Sequence, residues 1–222
     1  MASRKHRRRR RRRLDHDGPV AASAVASSSG QPTILRLTAC DGGTTHESTV
    51  VSPQELTIAR EKWPVVWLDV DGFGDLATIR AVGQIFEIGD LALEDAVTPD
   101  ERPKVEVFGH QVLIAVRMAR TEGDSIVTDP MAIFLGDRYV ITFHDRTVPD
   151  GFTSVRERIR HGRTRLGQLG ADHLCALLLD AVIDGYFPVL ERFGDSLETI
   201  EEEALDNPSR DLLGRIHDVR ND

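Results

Sequence analysis

The sequence predicts an α/β domain followed by a long helical segment. Between residues 33 and 170, short apolar runs typical of strands alternate with helical patterns. From Asp172 to Leu205, apolar residues recur at helical spacing. Apolar residues make up 40% of the chain and charged residues 29%, as in soluble globular proteins. We therefore divide the chain into a tail (residues 1–32), an α/β domain (residues 33–170) and a helical segment (residues 171–222).

The first half of the α/β domain combines two strands with three helices. Ser52 and Glu55 have the spacing of a capping box, and Pro53 between them suits the first helical position. A later helix must end before Pro99, because the residue that precedes a proline disfavours the helical conformation. In chain order, the predicted elements are strand Thr33–Ala39, helix Pro53–Lys62, strand Val65–Val70, helix Leu76–Phe86 and helix Leu91–Val97.

The second half of the domain is rich in strands. Gly109-His110 and Gly136-Asp137 supply turn residues between apolar runs. Helical sequence returns near Phe152. The four predicted strands are Lys104–Phe108, Val112–Met118, Ile126–Leu135 and Tyr139–Phe143.

A single helix over Asp172–Leu205 would be about 50 Å long at 1.5 Å per residue, which is too long for a compact domain of this size. Pro188 should kink it or at least remove one backbone hydrogen bond. Pro208 ends the pattern, and a second helix then runs to Asp222 without a cap. We therefore expect the natural protein to continue.

Charge divides the chain into two unlike parts, although the formal net charge is −8. Residues 4–13 hold nine of the 28 Lys and Arg residues and no acid, which leaves 19 bases against 36 acids, or −17, elsewhere. An acidic body repels phosphates and argues against a nucleic-acid-binding fold. We expect the basic tail to be disordered. It either adheres to nucleic acid or anionic lipid, or is a solvated extension without a partner.

Other classes of protein are poorly supported. Cys40 and Cys175 lie far apart and form no metal-ligand spacing, which argues against a disulfide scaffold and a structural zinc site. The most apolar stretch, Leu174–Leu190, is interrupted by Asp180 and Asp184, so we expect no membrane span within these residues. A P-loop, a dinucleotide fingerprint and a Ser-His-Asp arrangement are absent from the sequence. We predict that the chain is not an enzyme.

One minor alternative is a haloacid-dehalogenase-like phosphatase. Asp69 and Asp71 follow an apolar strand, where that family places its nucleophile and its acid/base. The fold also needs a Ser/Thr strand and a Lys between its two acid motifs, and the stretch from Gly72 to Gly89 is too short for them. The favoured interpretation is a strand end with polar turn residues.

Two pairs of carboxylates are candidate cation ligands. Glu94 and Asp95 are adjacent on a short predicted helix, and they repel each other unless they are solvated or bridged by a cation such as Mg²⁺. Asp180 and Asp184 are four residues apart and share one helix face. From the residues alone, both pairs are either solvated acids or cation ligands. We expect Glu94, Asp95 and Asp180 to be left without basic partners.

Five segments in collinear order resemble the CorA family of magnesium and cobalt transporters. The order and spacing agree over residues 63–222, with looser similarity from Thr33, and the Arg-rich head lies outside the match. The segments are Leu91–Glu106, Val112–Arg117, Val155–Arg160, Leu179–Phe187 and Glu202–Pro208.

The resemblance implies an αβα cytoplasmic domain with a mixed sheet, followed by a long helical hairpin whose first arm is the Asp172–Leu205 helix. In the family, the chain continues through a stalk helix and two membrane spans. This portion is therefore expected on the cytoplasmic side of a cell-membrane protein that assembles as a homopentamer. Mg²⁺ bound between the family's cytoplasmic domains holds the pore closed. Mg²⁺ is thus the implied regulatory ligand and transported ion, with Co²⁺ possible.

The resemblance also implies metal ligands. Asp95 matches the interfacial acid of a first regulatory site, Glu94 and Asp180 match acids of a second, and Asp184 aligns with an acidic position. Gly89-Asp90 stands where the family often has His-Pro, which adds an acid near the site. A zinc-transporting relative of the same fold is the close alternative. Because the family places this region beside a bilayer, anionic lipid becomes the favoured partner of the basic tail over nucleic acid.

Overall fold

Seven strands form one mixed sheet in the computed structural model, which describes residues 32–98, 102–123, 125–145, 151–161 and 166–206. Their order is β2-β1-β3-β7-β6-β5-β4. The β3–β7 pair is parallel and the other neighbours are antiparallel. The strands are β1 (Ile34–Cys40), β2 (Thr45–Thr49), β3 (Val65–Asp71), β4 (Lys104–Phe108), β5 (Gln111–Glu122), β6 (Ser125–Leu135) and β7 (Tyr139–His144).

Six helices accompany the sheet in the described part of the chain. Pro53 begins the first helix as predicted, although the Ser52 hydroxyl contacts the Glu55 carboxylate (3.4 Å) instead of a backbone amide. Asp75 caps the second helix by accepting hydrogen bonds from the Ala77 and Thr78 amides. The helices are α1 (Pro53–Lys62), α2 (Leu76–Ile85), α3 (Asp90–Val97), α4 (Thr153–Arg160), α5 (Leu166–Asp184) and α6 (Phe187–Asp206).

Helices cover both faces of the sheet. Strand β3, an inner strand, contributes to both cores, because its successive side chains point to opposite faces. On one face, Leu68 and Val70 pack in a core with α1, α2 and α3. On the other face, Val65 and Trp67 pack in a core with α4 and α5. All seven β3 residues are buried, the apolar ones as predicted and with them the carboxylates of Asp69 and Asp71. The predicted αβα layers and mixed sheet are confirmed.

Strand β2 was not predicted from the sequence. Its residues, Thr-His-Glu-Ser-Thr, lack the alternation of apolar and polar residues that marks a half-buried strand. The strand lies at the edge of the sheet, pairs only with β1 among the described strands, and is largely exposed. Without an apolar face to bury, an edge strand leaves no periodic signal in the sequence.

The long C-terminal helix is interrupted where its sequence predicts. Helix α5 ends at Asp184, a turn occupies Gly185 and Tyr186, and Pro188 is the second residue of α6. A proline near a helix start removes no hydrogen bond within that helix, so the interruption falls just before it. Helical sequence begins earlier than predicted, and Gly170 breaks α5 with a φ of 86°. The second hairpin helix and the tail of residues 1–31 lie outside the described residues.

One described stretch, Leu169–Leu205, is long and apolar enough to cross a membrane by length and composition only. A core helix of a soluble domain passes the same test. Leu174, Leu178 and Val182 of this stretch are buried against the sheet. We therefore assign its first half to the helical layer that covers β3 and β7.

Candidate metal-binding acids and the buried ionic network

The first candidate pair, Glu94 and Asp95, lies on the outward side of α3. Burial of Ala92, Leu93, Ala96 and Val97 orients the helix, and it leaves the two carboxylates half-buried. Leu91, one helical turn before them, is 67% exposed. A single exposed apolar side chain is common on protein surfaces and does not by itself identify an interface.

Asp95 has a basic partner, so the prediction that it lacks one is wrong. The Lys104 ammonium donates to the Asp95 carboxylate at 2.9 Å, and it lies 3.5 Å from the Glu106 carboxylate. Lys104 is nine residues along the chain, at the start of β4. The side chains of Lys104 and Asp95 are 25% and 21% exposed, so water reaches this ion pair.

The second candidate pair, Asp180 and Asp184, is exposed on α5. Asp180 lies 3.9 Å from the guanidinium of Arg158 on α4, and both side chains are about half exposed, 62% and 47%. This long, solvated contact contributes little to stability. The prediction that Asp180 lacks a basic partner is therefore also wrong. Ile183, between the two acids, is 59% exposed.

The structure does not bring the two pairs together in one chain. Leu93 of α3 packs in the core with Leu68, whereas Leu178 of α5 packs in the core with Trp67 on the other face of the sheet. Glu94 and Asp180 are therefore separated by the sheet. Among the described residues, no three His, Cys, Asp or Glu side chains converge to hold a metal ion. A site that uses both pairs needs a second copy of the chain.

A different carboxylate, Asp69, is the centre of a buried ionic network. It is fully buried on β3. The Thr142 hydroxyl donates to it at 2.7 Å, the Arg156 guanidinium at 2.6 Å, and His144 Nε2 lies 2.9 Å away. Trp67 extends the network, because its indole N–H donates to Thr142 and its ring lies 4.2 Å from the guanidinium carbon of Arg156.

These contacts keep Asp69 ionised. Burial alone would raise its pKa, but the hydrogen bond and charge of His144, the charge of Arg156 and the hydrogen bond from Thr142 lower the pKa to about 2. Arg36, on the neighbouring strand β1, adds contacts of 3.4 Å to Asp69 and 3.0 Å to Asp71. The network therefore joins β1, β3, β7 and α4.

The network does not support the phosphatase alternative. A nucleophilic carboxylate must reach its substrate, whereas Asp69 is buried and has four side chains within hydrogen-bond distance. Its role in this fold is structural. The sequence offered no signal for this role, because Arg156 follows Asp69 by 87 residues.

Comparisons of the sequence with known proteins agree on one family. The family profile described as "CorA-like Mg2+ transporter protein" matches residues 64–222. The cobalt/magnesium transport protein CorA of Thermotoga maritima is 31% identical over 163 residues, which are 72% of this chain and 46% of that protein. The putative metal ion transporter YfjQ of Bacillus subtilis is 28% identical over 171 residues, 76% of this chain and 52% of that protein.

A solved structure shares the fold. The soluble domain of CorA from Methanocaldococcus jannaschii superimposes with a TM-score of 0.64 at 18% identity, covering 82% of this chain and 68% of that one. This likeness concerns the fold. The chain spans about half the length of the curated relatives that it matches.

Proposed function

The chain belongs to the CorA-like Mg²⁺ transporter family, and we propose that it is the cytoplasmic, cation-sensing part of a divalent cation transporter. Relatives named for cobalt and magnesium transport support Mg²⁺, and with it Co²⁺, as the transported ions. Location at the cell membrane, assembly as a homopentamer and gating by Mg²⁺ are parts of this proposal.

One observation carries the sensing proposal. Candidate acids lie on both outer surfaces of a three-layer domain, and each pair has an exposed apolar neighbour, Leu91 on α3 and Ile183 on α5. Apolar side chains of this kind gain from burial against another chain. When two copies meet through such surfaces, acids from different chains face each other. A cation between them then binds only the assembled state.

The mechanism follows from charge repulsion. Without a divalent cation, facing carboxylates such as Asp95 of one chain and an acid of its neighbour repel each other and loosen the assembly. With the cation bound, the repulsion becomes attraction and the assembly tightens. The cation can shift this equilibrium only by its preference for the tight state. The magnitude of the response therefore measures how much more tightly the cation binds the tight state than the loose one.

The donor set favours Mg²⁺ over Zn²⁺. The candidate ligands are carboxylate oxygens, which hard ions such as Mg²⁺ prefer, whereas zinc sites use Cys and His in addition. Both cysteines are free and buried in the cores of the fold. Cys175 lies on the buried side of α5 and packs in the core. Glu94, Asp95 and Asp180 would hold the ion, and Asp184 would add charge beside it.

The test is a titration of the 222-residue chain with MgCl₂ while its thermal unfolding is followed. A cation at ten times its Kd adds about 1.4 kcal/mol, which raises the Tm of a chain of this size by roughly 3–6 °C. The double variant Asp95→Asn with Asp180→Asn should lose this increase.

The matched control is Asp137→Asn with Asp195→Asn, which removes two exposed carboxylates away from both candidate pairs. It should keep the Mg²⁺ response. An equal response in the Asp95/Asp180 double variant and in the unmodified chain would contradict the site assignment. A response reproduced by NaCl at the same ionic strength would show screening of surface charge instead of binding.

A further inference from the structure

The positive charge next to the Asp95 carboxylate is the ammonium group of Lys104. Lys104 and Glu106 alternate with Val105 along β4, so their side chains point to one face of the sheet. Glu106 pairs in register with Leu113, which packs in the same core as α3. The face of β4 that carries Lys104 and Glu106 is therefore the face that α3 covers.

The ammonium group lies between two carboxylates at the edge of the sheet. It is 2.9 Å from Asp95 and 3.5 Å from Glu106, and the Glu106 side chain is 45% exposed. The two carboxylates that hold the ammonium, Asp95 and Glu106, carry a formal charge of −2. One divalent cation would neutralise it. The ammonium holds the place of that cation but supplies half of its charge.

We propose that Lys104 is a tethered competitor of the divalent cation at Asp95 and thereby sets the cation concentration at which the site fills. The inference rests on the proposed sensing function. A divalent cation that coordinates Asp95 must first displace the ammonium, and Glu106 then keeps the ammonium at the strand edge. Because the competitor is covalently attached, its local concentration is constant and its effect is a fixed weakening of cation affinity.

Loss of the positive charge should therefore strengthen cation binding. A partly exposed ion pair contributes roughly 1 kcal/mol at most, which corresponds to about a fivefold change in Kd. Lys104→Met keeps an unbranched apolar stem but removes the ammonium, and we expect the Kd for Mg²⁺ to fall about fivefold. Lys104→Arg keeps the charge and should keep the weaker affinity. Without any divalent cation, the Lys104→Met chain should have a slightly lower Tm than the unmodified chain, because the ion pair with Asp95 is lost.

Isothermal titration calorimetry with MgCl₂ measures the affinity, and thermal unfolding without Mg²⁺ measures the stability. The chain offers a matched control, because its three lysines are Lys5, Lys62 and Lys104. Lys62 is exposed on α1. Lys62→Met should leave the Kd unchanged, and Lys104→Met in an Asp95→Asn background should give no gain in affinity.

If Lys104 is a competitor, Lys104→Met raises the affinity for Mg²⁺ and lowers the stability of the cation-free chain. If Lys104 only supports the fold, Lys104→Met lowers both the stability and the affinity. Unchanged or weaker binding by Lys104→Met overturns the inference while the Asp95→Asn result still supports the sensing function. An equal gain from Lys62→Met also overturns it, because the effect would then be general charge. Absence of Mg²⁺ binding in both the unmodified chain and Lys104→Met would contradict the sensing function and the inference with it.

Discussion

Asp69→Asn is the substitution that best tests the structural role of the buried network. It keeps the shape of the side chain and removes its charge. The Arg156 guanidinium, whose side chain is 9% exposed, then loses the charge of the Asp69 carboxylate at 2.6 Å. The new amide can still accept from Thr142 through its oxygen, but its NH₂ group would face Arg156, which is also a donor.

Removal of one partner from a buried ion pair costs about 3–5 kcal/mol, because the remaining charge stays desolvated. We expect a loss near the lower limit, about 3 kcal/mol, since Asp71 and the Trp67 ring also lie near cations of the network. For a chain of this size, this loss lowers the Tm by roughly 6–12 °C. Asp137→Asn, at an exposed turn, should stay within about 0.5 kcal/mol of the unmodified chain.

The pH dependence gives a second, independent signature. The pKa of Asp69 falls from 3.8 to about 2 on folding. A lowered folded-state pKa means that the ionised carboxylate contributes its stability in full above about pH 4. This contribution, about 2 kcal/mol, is lost as the pH falls from 4 through 2. The Asp69→Asn chain has no such group, so the difference between the two chains should narrow over the same interval.

Urea unfolding of both chains at pH 7, 4, 3 and 2.5 measures these differences. Equal stability of Asp69→Asn and the unmodified chain at pH 7 would refute the reasoning, because the network would then contribute nothing. A difference that stays constant down to pH 2.5 would refute the assignment of the acid transition to Asp69.

Two further predictions concern other buried groups. The Tyr139 hydroxyl donates to the Phe86 carbonyl at 3.0 Å and accepts from Gln111 at 2.7 Å. Tyr139→Phe should therefore cost about 1 kcal/mol in urea unfolding, and no loss would contradict these bonds. Burial raises the pKa of the Cys40 thiol and raises that of Cys175 to about 11. A thiol reagent at pH 8 should thus label neither cysteine in the native chain and both in urea; rapid native labelling would contradict their burial.

Sequence patterns were sufficient to predict the strands and helices whose buried residues recur at a regular spacing. Strand β3 begins with four consecutive apolar residues because both of its faces are covered, and α2 shows apolar residues at helical spacing because one side packs on the sheet. Strand β2 buries no apolar face, so it left no pattern. The position of the break before α6 followed from Pro188, whereas the break at Gly170 did not, because an isolated glycine fits several local structures.

Ion pairs were the part of the site that the sequence could not predict. Arg160 pairs with Glu47 across 113 residues, at 2.7 Å, and Lys104 pairs with Asp95 nine residues away, which is outside the spacing of helical neighbours. The net charge of the chain is a property of its composition. The choice of which carboxylates are neutralised internally is a property of the fold. Asp95 was therefore identified as a candidate ligand while its lysine partner was missed.

Burial, and not charge, separates the structural acids of this chain from the acids that suit a cation sensor. Asp69 and Asp95 both hold a basic group within 3 Å. The Asp69 side chain is 1% exposed and the Asp95 side chain is 21% exposed. Mg²⁺ gives up its water reluctantly, so it cannot replace a guanidinium in a dry core, whereas it can approach a wet ion pair with part of its hydration shell. A carboxylate with intermediate burial can therefore exchange an internal ammonium for an external ion, and Asp95 has that burial.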